Sequence, residues 1–342
     1  MATTRTGNTT TRTDDEVIDL TDDHRDPGGD DRGRSAESPG DVPASGWKDV
    51  AKRVKGELKE DQVPLLSAGV AFFMLLALFP ALAAVISIYG LVADPAEVSQ
   101  QVENATSALP ESAQTLITDQ LEGVAEADSG LGFALIGGVL AALWTASSGV
   151  KHLIEAINAA YDERETRGFF KLRGLALALT VGAVLFAAVA IGVIGVLPVL
   201  ADQLPLGDVG QILVQVASYV GLAVGFALCL AVLYRYAPDR DQPRWQWVSW
   251  GAVVATVVWI VASIGFSVYV TNFGSYGETY GSLGAVIVLM LWLVITAFAV
   301  ILGAELNSEL EAQTAEDSTR GEPRPMGERD AVKADNVAPA QG

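Results

Sequence analysis

Polar side chains are scarce in the long apolar stretches of this chain, so those that occur there are the first candidates for chemistry. Ser148, Lys151, Glu155 and Asn158 follow one another at i, i+3, i+7 and i+10, which places them on one face of a helix. A face of this kind could line a water-filled cavity that binds a solute. The alternative is a helix end that emerges into water, with the Lys151 ammonium reaching toward solvent.

Two further apolar stretches each carry a stripe of small or polar residues. Gln215 and Ser218 lie close to one face of the first stretch, and Thr256 and Ser263 lie close to one face of the second. Small residues let helices approach closely and hydroxyl groups hydrogen-bond between helices, so packing is the simplest interpretation. A path for a solute is the alternative, because both stretches are long enough to cross a membrane.

An acidic and an amide side chain, Glu305 and Asn307, follow Gly303 at the end of the last apolar stretch. An unpaired charge near hydrocarbon costs roughly a few kcal/mol, so we expect a basic partner for Glu305 at the same depth. Lys151 is the first choice and Arg173 the second. Such an ion pair would only hold the helices together. The alternative is that Glu305 relays protons or binds a cation.

The segment between the last two apolar stretches is rich in glycine and tyrosine. Glycine allows tight backbone turns and the close approach of a ligand or a helix. We therefore regard this segment as a signature loop, with the candidate residues Asn272, Gly274, Tyr276, Gly277, Tyr280 and Gly281.

Several classes of site are excluded by composition. The single cysteine, Cys229, rules out an intramolecular disulfide and a cysteine-based metal cluster, and two histidines, His24 and His152, are too few for a conventional zinc centre. The net charge of −19 is unfavourable for nucleic-acid binding, which needs a basic surface. We expect no catalytic residues, no metal and no cofactor.

The elements that position these residues are membrane spans. Lys and Arg are absent from residues 60–150, 174–234 and 245–319, and these gaps contain apolar runs longer than a bilayer requires. The sequence therefore predicts an all-α, polytopic membrane protein with six transmembrane helices, at about 64–91, 131–150, 174–201, 211–234, 247–271 and 282–303. The second helix is expected to continue into the cytoplasm.

Three regions outside the spans have their own character. Residues 1–45 and 311–342 are polar and acidic, so we expect disordered tails that bury too little apolar surface to fold. The loop at 92–130 shows two apolar stripes at helical spacing and is expected to form a helical hairpin on the outer side. The six-span domain itself is assigned to residues 63–310.

Residues 46–62 form a short amphipathic pattern. Trp47, Val50, Val54 and Leu58 recur at helical spacing, and lysines occupy the other faces. We interpret this pattern as a helix lying on the membrane surface with its lysines toward anionic headgroups. An ordinary solvated helix is the alternative.

The distribution of basic residues predicts the orientation. The loops at 92–130, 202–210 and 272–281 contain no Lys or Arg, whereas those at 151–173 and 235–246 contain several. Basic loops remain in the cytoplasm, so both termini are expected there, in a multi-pass protein of the bacterial cytoplasmic (inner) membrane.

Three stretches give the chain a family resemblance. SAGVAFFMLLALFPAL (67–82), INAAYDERETRGFF (157–170) and the segment 269–310, which begins YVTNFGSYGETYGSLG and ends ILGAELNSEL, together resemble the YihY/virulence factor BrkB family of six-span inner-membrane proteins. The resemblance covers about residues 46–310. It implies the same topology and a cell-envelope role in transport or lipid handling, but no established catalytic residues. The family's older ribonuclease label gains no support, because a clustered His/Asp metal site and a basic groove are both missing from the sequence.

Three functions follow from these observations. The first is a transporter or flippase-like protein for an amphipathic or lipidic solute, with a cavity between the second, fourth, fifth and sixth spans. The second is a non-transporting envelope scaffold that binds partners through its loops and tails, and the third is an enzyme. Membrane lipids and a lipidic or small-molecule solute are the expected partners, nucleic acid is not, and the oligomeric state is open.

Overall fold

The computed structural model describes residues 32–92, 132–203, 207–273 and 282–341. Regular structure in these ranges is helical, and extended pairing within them is limited to one bridge between Pro243 and Thr319. The helices are α1 (Ala44–Glu60), α2 (Val63–Val92), α3 (Gly132–Ala160), α4 (Phe169–Asp202), α5 (Gly207–Tyr236), α6 (Trp245–Phe273), α7 (Ser282–Glu311) and the short α8 (Val332–Asp335), and a turn of 3-10 helix occupies Pro39–Asp41. The predicted all-α class is confirmed for the described residues.

Each predicted span corresponds to one long helix, α2 to α7. Within the described residues, α4, α5, α6 and α7 are long and apolar enough to cross a membrane. A fifth span results if α1 and the first part of α2, which meet at a bend of 62°, are counted together. The number six remains a prediction. The backbone at the bend passes through Gln62, whose φ is +51°.

The long helices pack as a bundle in which α7 is the most enclosed. Successive helices contact each other from α3 to α6, and α7 closes the bundle against α2, α3 and α6. The closest approach is between α6 and α7 at Gly251 and Gly303, where a Cβ on either glycine would overlap the other's carbonyl oxygen. Large apolar side chains on α4, α5 and α6 remain exposed, as expected for a surface that faces lipid.

Helix α1 forms as predicted, but its apolar stripe has a different partner. Val50 and Val54 are buried in a cluster with Trp247 of α6 and Leu310 of α7. The stripe therefore contacts the bundle instead of lipid, and this burial of apolar surface is what attaches α1. Lysines 48, 52, 55 and 59 are exposed on the other faces, as predicted.

The prediction of disordered tails is wrong for the described parts, residues 32–45 and 312–341. The C-terminal segment 312–341 folds over the end of the bundle formed by α1 and the loops 161–168 and 237–244, which we call the terminal end. Backbone hydrogen bonds attach it to loop 237–244, because the Arg244 N–H donates to the Ser318 carbonyl oxygen (2.9 Å) and the Arg320 N–H donates to the Gln242 carbonyl oxygen (2.8 Å). Further polar bonds connect the parts of the segment to each other. The Arg329 guanidinium donates hydrogen bonds to the carbonyl oxygens of Ala315, Glu316, Arg324 and Ala334.

The described part of the N-terminal segment is attached to the C-terminal segment by a polar contact, in which Thr314 Oγ1 donates to the carbonyl oxygen of Ala36 (2.7 Å). A composition rule that counts apolar residues does not register such contacts. Residues 1–31, the predicted outer hairpin at 92–130 and the loop residues 274–281 are outside the described residues, apart from Val92.

Candidate functional site

The membrane part of the bundle contains a cavity of about 240 Å³. It lies between α2, α3 and α4, with Leu293 of α7 at one side, and its lining includes Met74, Ala77, Gly149, Leu153, Thr180 and Val184. Thr180 is the one polar residue among those that line it, and its hydroxyl donates to the Ala176 carbonyl oxygen (2.7 Å). The wall of the cavity is therefore hydrocarbon, which suits an apolar chain and not an ion.

The position of this cavity corrects the prediction from the sequence. We expected a cavity between the second, fourth, fifth and sixth spans, which are α3, α5, α6 and α7. The observed cavity has α2 and α4 in place of α5 and α6. Its lining contains none of the ten polar candidates, whose role in a solute path remains a prediction.

A basic side chain lies on the same face of α4 as the cavity lining. Arg173 precedes Thr180 by two helical turns, about 10 Å along the axis. Its guanidinium donates to Ser148 Oγ (3.2 Å from each terminal nitrogen) and to the Trp144 carbonyl oxygen (2.8 Å). The guanidinium also lies over the Trp144 ring, with Arg173 Cζ 4.3 Å from the ring centroid. All of these partners are neutral, and within the described ranges Arg173 forms no salt bridge.

The predicted polar face of α3 divides between two environments. Ser148 contacts Arg173, as above. Lys151 forms a salt bridge with Glu155 (3.0 Å), one turn further along, and His152 contacts the same carboxylate (2.8 Å). Glu155 is exposed, so this group is solvated.

Asn158, the last residue of that face, joins the two loops at the terminal end. It is 3% exposed. Its Nδ2 donates to Glu165 Oε2 (3.0 Å), and its Oδ1 accepts from the Asp239 backbone N–H (2.8 Å). Burial alone would raise the pKa of the Asp239 carboxyl. Hydrogen bonds from the Thr166 side chain and backbone outweigh this effect, so the pKa lies below its ordinary value. Asn158 therefore acts as a clamp between loops 161–168 and 237–244.

The stripe residues of α5 and α6 form local bonds. Ser218 and Thr256 donate to carbonyl oxygens one turn earlier in their own helices, at 2.7 and 2.8 Å. Ser263 accepts from Trp292 Nε1 of α7 (3.2 Å), which is a packing contact between helices. Gln215 is exposed on the outer surface of α5. Of the six candidates in the signature loop, Asn272 is the one that the structure describes, and its Nδ2 donates to the Val268 carbonyl oxygen (2.8 Å).

The predicted partner of Glu305 is wrong. Lys151 bonds to Glu155, and Arg173 bonds to Ser148 and Trp144. Glu305 is 1% exposed, and its carboxyl group shares a side-chain hydrogen bond with a second acid and not with Lys151 or Arg173. Its strongest electrostatic interaction is with another acid, Asp61, at the bend between α1 and α2.

Asn307 serves packing. Its Oδ1 accepts from the Gly251 backbone N–H (2.8 Å), and its Nδ2 donates to the Val248 carbonyl oxygen (3.2 Å). These bonds attach α7 to α6 at the point where the two glycines meet.

Two groups of residues were missed by sequence reasoning. The cavity lining is apolar and indistinguishable from core residues in the sequence. The acids Glu57, Asp61 and Glu309 and the basic Lys333, which meet at the terminal end, come from parts of the chain with no common motif. The dense polar run after Gly303 is the one signal that could have pointed to them.

Comparison with known proteins supports the resemblance. The family model for virulence factor BrkB matches residues 54–327. The ribonuclease-like protein YfkH of Bacillus subtilis (strain 168) is 32% identical over 253 residues, which cover 71% of this chain and 88% of that protein. A UPF0761 membrane protein of Alteromonas mediterranea is 38% identical over 102 residues, 28% of this chain and 34% of that protein. No solved structure matches. The chain thus belongs to the virulence factor BrkB family of membrane proteins.

Proposed function

We propose that this protein binds an amphipathic or lipidic solute within the bacterial cytoplasmic membrane and moves it across, as a transporter or flippase-like protein without enzymatic activity. The observation that carries the proposal is the apolar cavity together with Arg173 on the same face of α4. An apolar volume flanked by a cation complements a molecule with a hydrocarbon part and an anionic group.

The surroundings of Arg173 agree with access from the lipid. Phe169 and Phe170, one turn before it, are 65% and 87% exposed, as aromatic residues at a membrane interface are. Since the neutral partners of Arg173 leave its positive charge uncompensated, an anionic headgroup would gain a charge-assisted hydrogen bond there, worth about 1.5–3 kcal/mol.

The proposed topology has six spans and both termini in the cytoplasm. It rests on the basic loops 151–173 and 235–246, which contribute to the terminal end. In this orientation Arg173 lies on the cytoplasmic side of the cavity.

Translocation of a phospholipid in proteoliposomes tests the proposal. The probe is a phosphatidylglycerol with a fluorophore on one acyl chain, and dithionite added outside removes the fluorescence of the outer leaflet alone. We expect the wild-type protein to expose inner-leaflet probe, and Arg173→Gln to slow that exposure about tenfold because one charge-assisted bond is lost.

Lys171→Gln is the matched control, because Lys171 is exposed on the same helix two residues away and should behave like the wild type. Binding of the probe without translocation would favour the scaffold. A wild-type protein that neither binds nor translocates the lipid would refute the proposal.

A further inference from the structure

Helix α1 carries a row of exposed lysines along one side. They follow one another at i, i+4, i+7 and i+11, so they lie within an arc about 60° wide at the 100° per residue of an α-helix. We call this side the lysine face, and it consists of Lys48, Lys52, Lys55 and Lys59. Among the described residues, Lys48, Lys55 and Lys59 form no salt bridge.

The opposite side of α1 is buried against the bundle. Val50, Arg53 and Val54 are all buried, and Arg53 Nε donates to Glu309 Oε2 of α7 (2.5 Å). The apolar contacts and this buried ion pair together fix the rotation of α1 about its own axis. The lysine face therefore points away from α6 and α7.

The acids of α1 do not cancel the charge of the lysine face. Asp49 is buried and accepts from Arg32 Nη1 (2.5 Å), and Glu57 Oε1 lies 3.6 Å from Lys333 Nζ. Glu60 is the one exposed acid of α1, a helix that the structure describes throughout. The exposed side of α1 thus has a clear excess of positive charge.

The charge of Lys333 keeps Glu57 on the bundle side. Burial alone would lower the pKa of the Lys333 ammonium, but Glu309 and Asp162, whose oxygens lie 2.8 and 2.9 Å from Nζ, raise the pKa above its ordinary value. The ammonium is therefore charged, and Glu57 has a partner that directs it away from the lysine face.

The position of α1 along the bundle places the lysine face at a membrane interface. The ring centroids of Trp47 and Trp250 are 5.4 Å apart, and Leu302 packs against the cluster that contains Val50 and Val54. Trp250 and Leu302 belong to α6 and α7, in the parts of these helices that are long and apolar enough to cross a membrane. Helix α1 therefore lies beside the first turns of α6 and the last turns of α7, at the depth where lipid headgroups begin.

Ammonium groups at this depth complement the phosphate groups of anionic lipids. A lysine ammonium binds phosphate as a point charge, and each lysine near an anionic membrane surface contributes about fivefold to the binding constant. The sequence predicted this contact for a helix that inserts its apolar stripe into lipid. Because that stripe is buried in the bundle, charge is the interaction that remains between α1 and the headgroups.

We propose that the lysine face of α1 is a docking surface for the phosphate headgroups of anionic phospholipids, and that their binding holds α1 in place through charge. The surface is separate from the apolar cavity, so it does not depend on lipid translocation. Residues 14–31 of the same chain, with nine Asp and Glu and one Arg, also have complementary charge. The depth of α1 favours the lipid, and the acidic segment is the competing outcome of the test.

Hydrogen exchange of α1 in nanodiscs tests the proposal with the whole chain. Exchange of residues 48–60 is measured in phosphatidylcholine and in phosphatidylcholine mixed with phosphatidylglycerol. We expect phosphatidylglycerol to slow the exchange about tenfold, since bound headgroups oppose the opening of the helix. Sodium chloride at about 1 M, where the Debye length is about 3 Å, should remove most of this difference.

Two double variants separate the lysine face from net charge. Lys48→Gln/Lys55→Gln removes two charges from the face, and Arg164→Gln/Arg320→Gln removes two exposed charges elsewhere. With about fivefold lost for each lysine, phosphatidylglycerol should slow exchange by less than about twofold in the first variant. The second variant, which has the same net charge, should respond like the wild type.

Three results would overturn the proposal. Equal slowing in both variants would show that phosphatidylglycerol acts through net charge and not through the lysine face. Slowing that persists in high salt would show that apolar contacts with lipid, and not charge, hold α1. The third is a wild-type protein that does not respond to phosphatidylglycerol. In that case, faster exchange of Lys48→Gln/Lys55→Gln in phosphatidylcholine would identify the acidic segment 14–31 as the occupant, and unchanged exchange would identify a solvated helix.

Discussion

Substitution of Gly251 gives a sharp test of the packing between α6 and α7. In Gly251→Ala the new methyl group would overlap the Gly303 carbonyl oxygen and the Asn307 carboxamide, so the two helices must separate. Overpacking of this kind costs about 1–3 kcal/mol. Displacement of Asn307 also weakens its two hydrogen bonds to α6, at about 0.6 kcal/mol each in a membrane bundle.

The expected loss of unfolding free energy is therefore about 2–4 kcal/mol. Gly265→Ala on the same helix is the matched control, because no described atom of another helix lies within 4 Å of a Cβ at that position. This control should be neutral or gain up to about 1 kcal/mol from helix propensity.

The assay is reversible unfolding in mixed micelles, with the fraction of sodium dodecyl sulfate as the denaturant and circular dichroism as the signal. If Gly251→Ala and Gly265→Ala unfold at the same detergent fraction, the close approach of α6 and α7 is refuted. Gly303→Ala should repeat the loss, since its Cβ would meet the Tyr234 hydroxyl and Ala255.

Three other predictions concern the terminal end. Asn158→Ala should lower the unfolding free energy by about 1–3 kcal/mol in the same assay, because the partly buried Asp239 N–H loses its acceptor, and an unchanged value would exclude the clamp. Since the folded pKa of Lys333 is raised, its contribution is complete below the unfolded pKa of about 10.4 and is lost as pH rises through the folded value. The stability difference between wild type and Lys333→Gln should thus be constant from neutral pH to about pH 10 and shrink above it, and a difference that grows there would contradict this. In a Cys229→Ser background, Glu322→Cys should react with an impermeant maleimide only after cells are opened, and reaction in intact cells would reverse the proposed orientation.

The sequence predicted the helices well because each is determined by its own long apolar run. It could not predict which helices are neighbours in space, and this is why the cavity was assigned to α5 and α6 instead of α2 and α4. Helix order along the chain leaves that choice open, and an apolar cavity has no sequence pattern different from a packed core.

The acid–base pairs at the terminal end were the other failure. Lys151 was the expected partner of Glu305 because both lie near the ends of their spans, but a nearer acid, Glu155, lies one turn away on the same helix. Lys333 was assigned to a disordered tail because its surroundings in the sequence are polar. Its carboxylate partners are distant in the chain, so no local rule could connect them.

The central claim, that the apolar cavity holds a lipidic solute, is tested most directly by the lipid retained on the purified protein. Ala183 and Leu185 of α4 are both exposed, but Ala183 lines the cavity and Leu185 does not. Native mass spectrometry in mild detergent should show phospholipid bound to the wild-type protein and to Leu185→Phe, but not to Ala183→Phe, whose ring fills the cavity. Equal retention by both variants, or a wild-type protein that carries no lipid, would contradict the account.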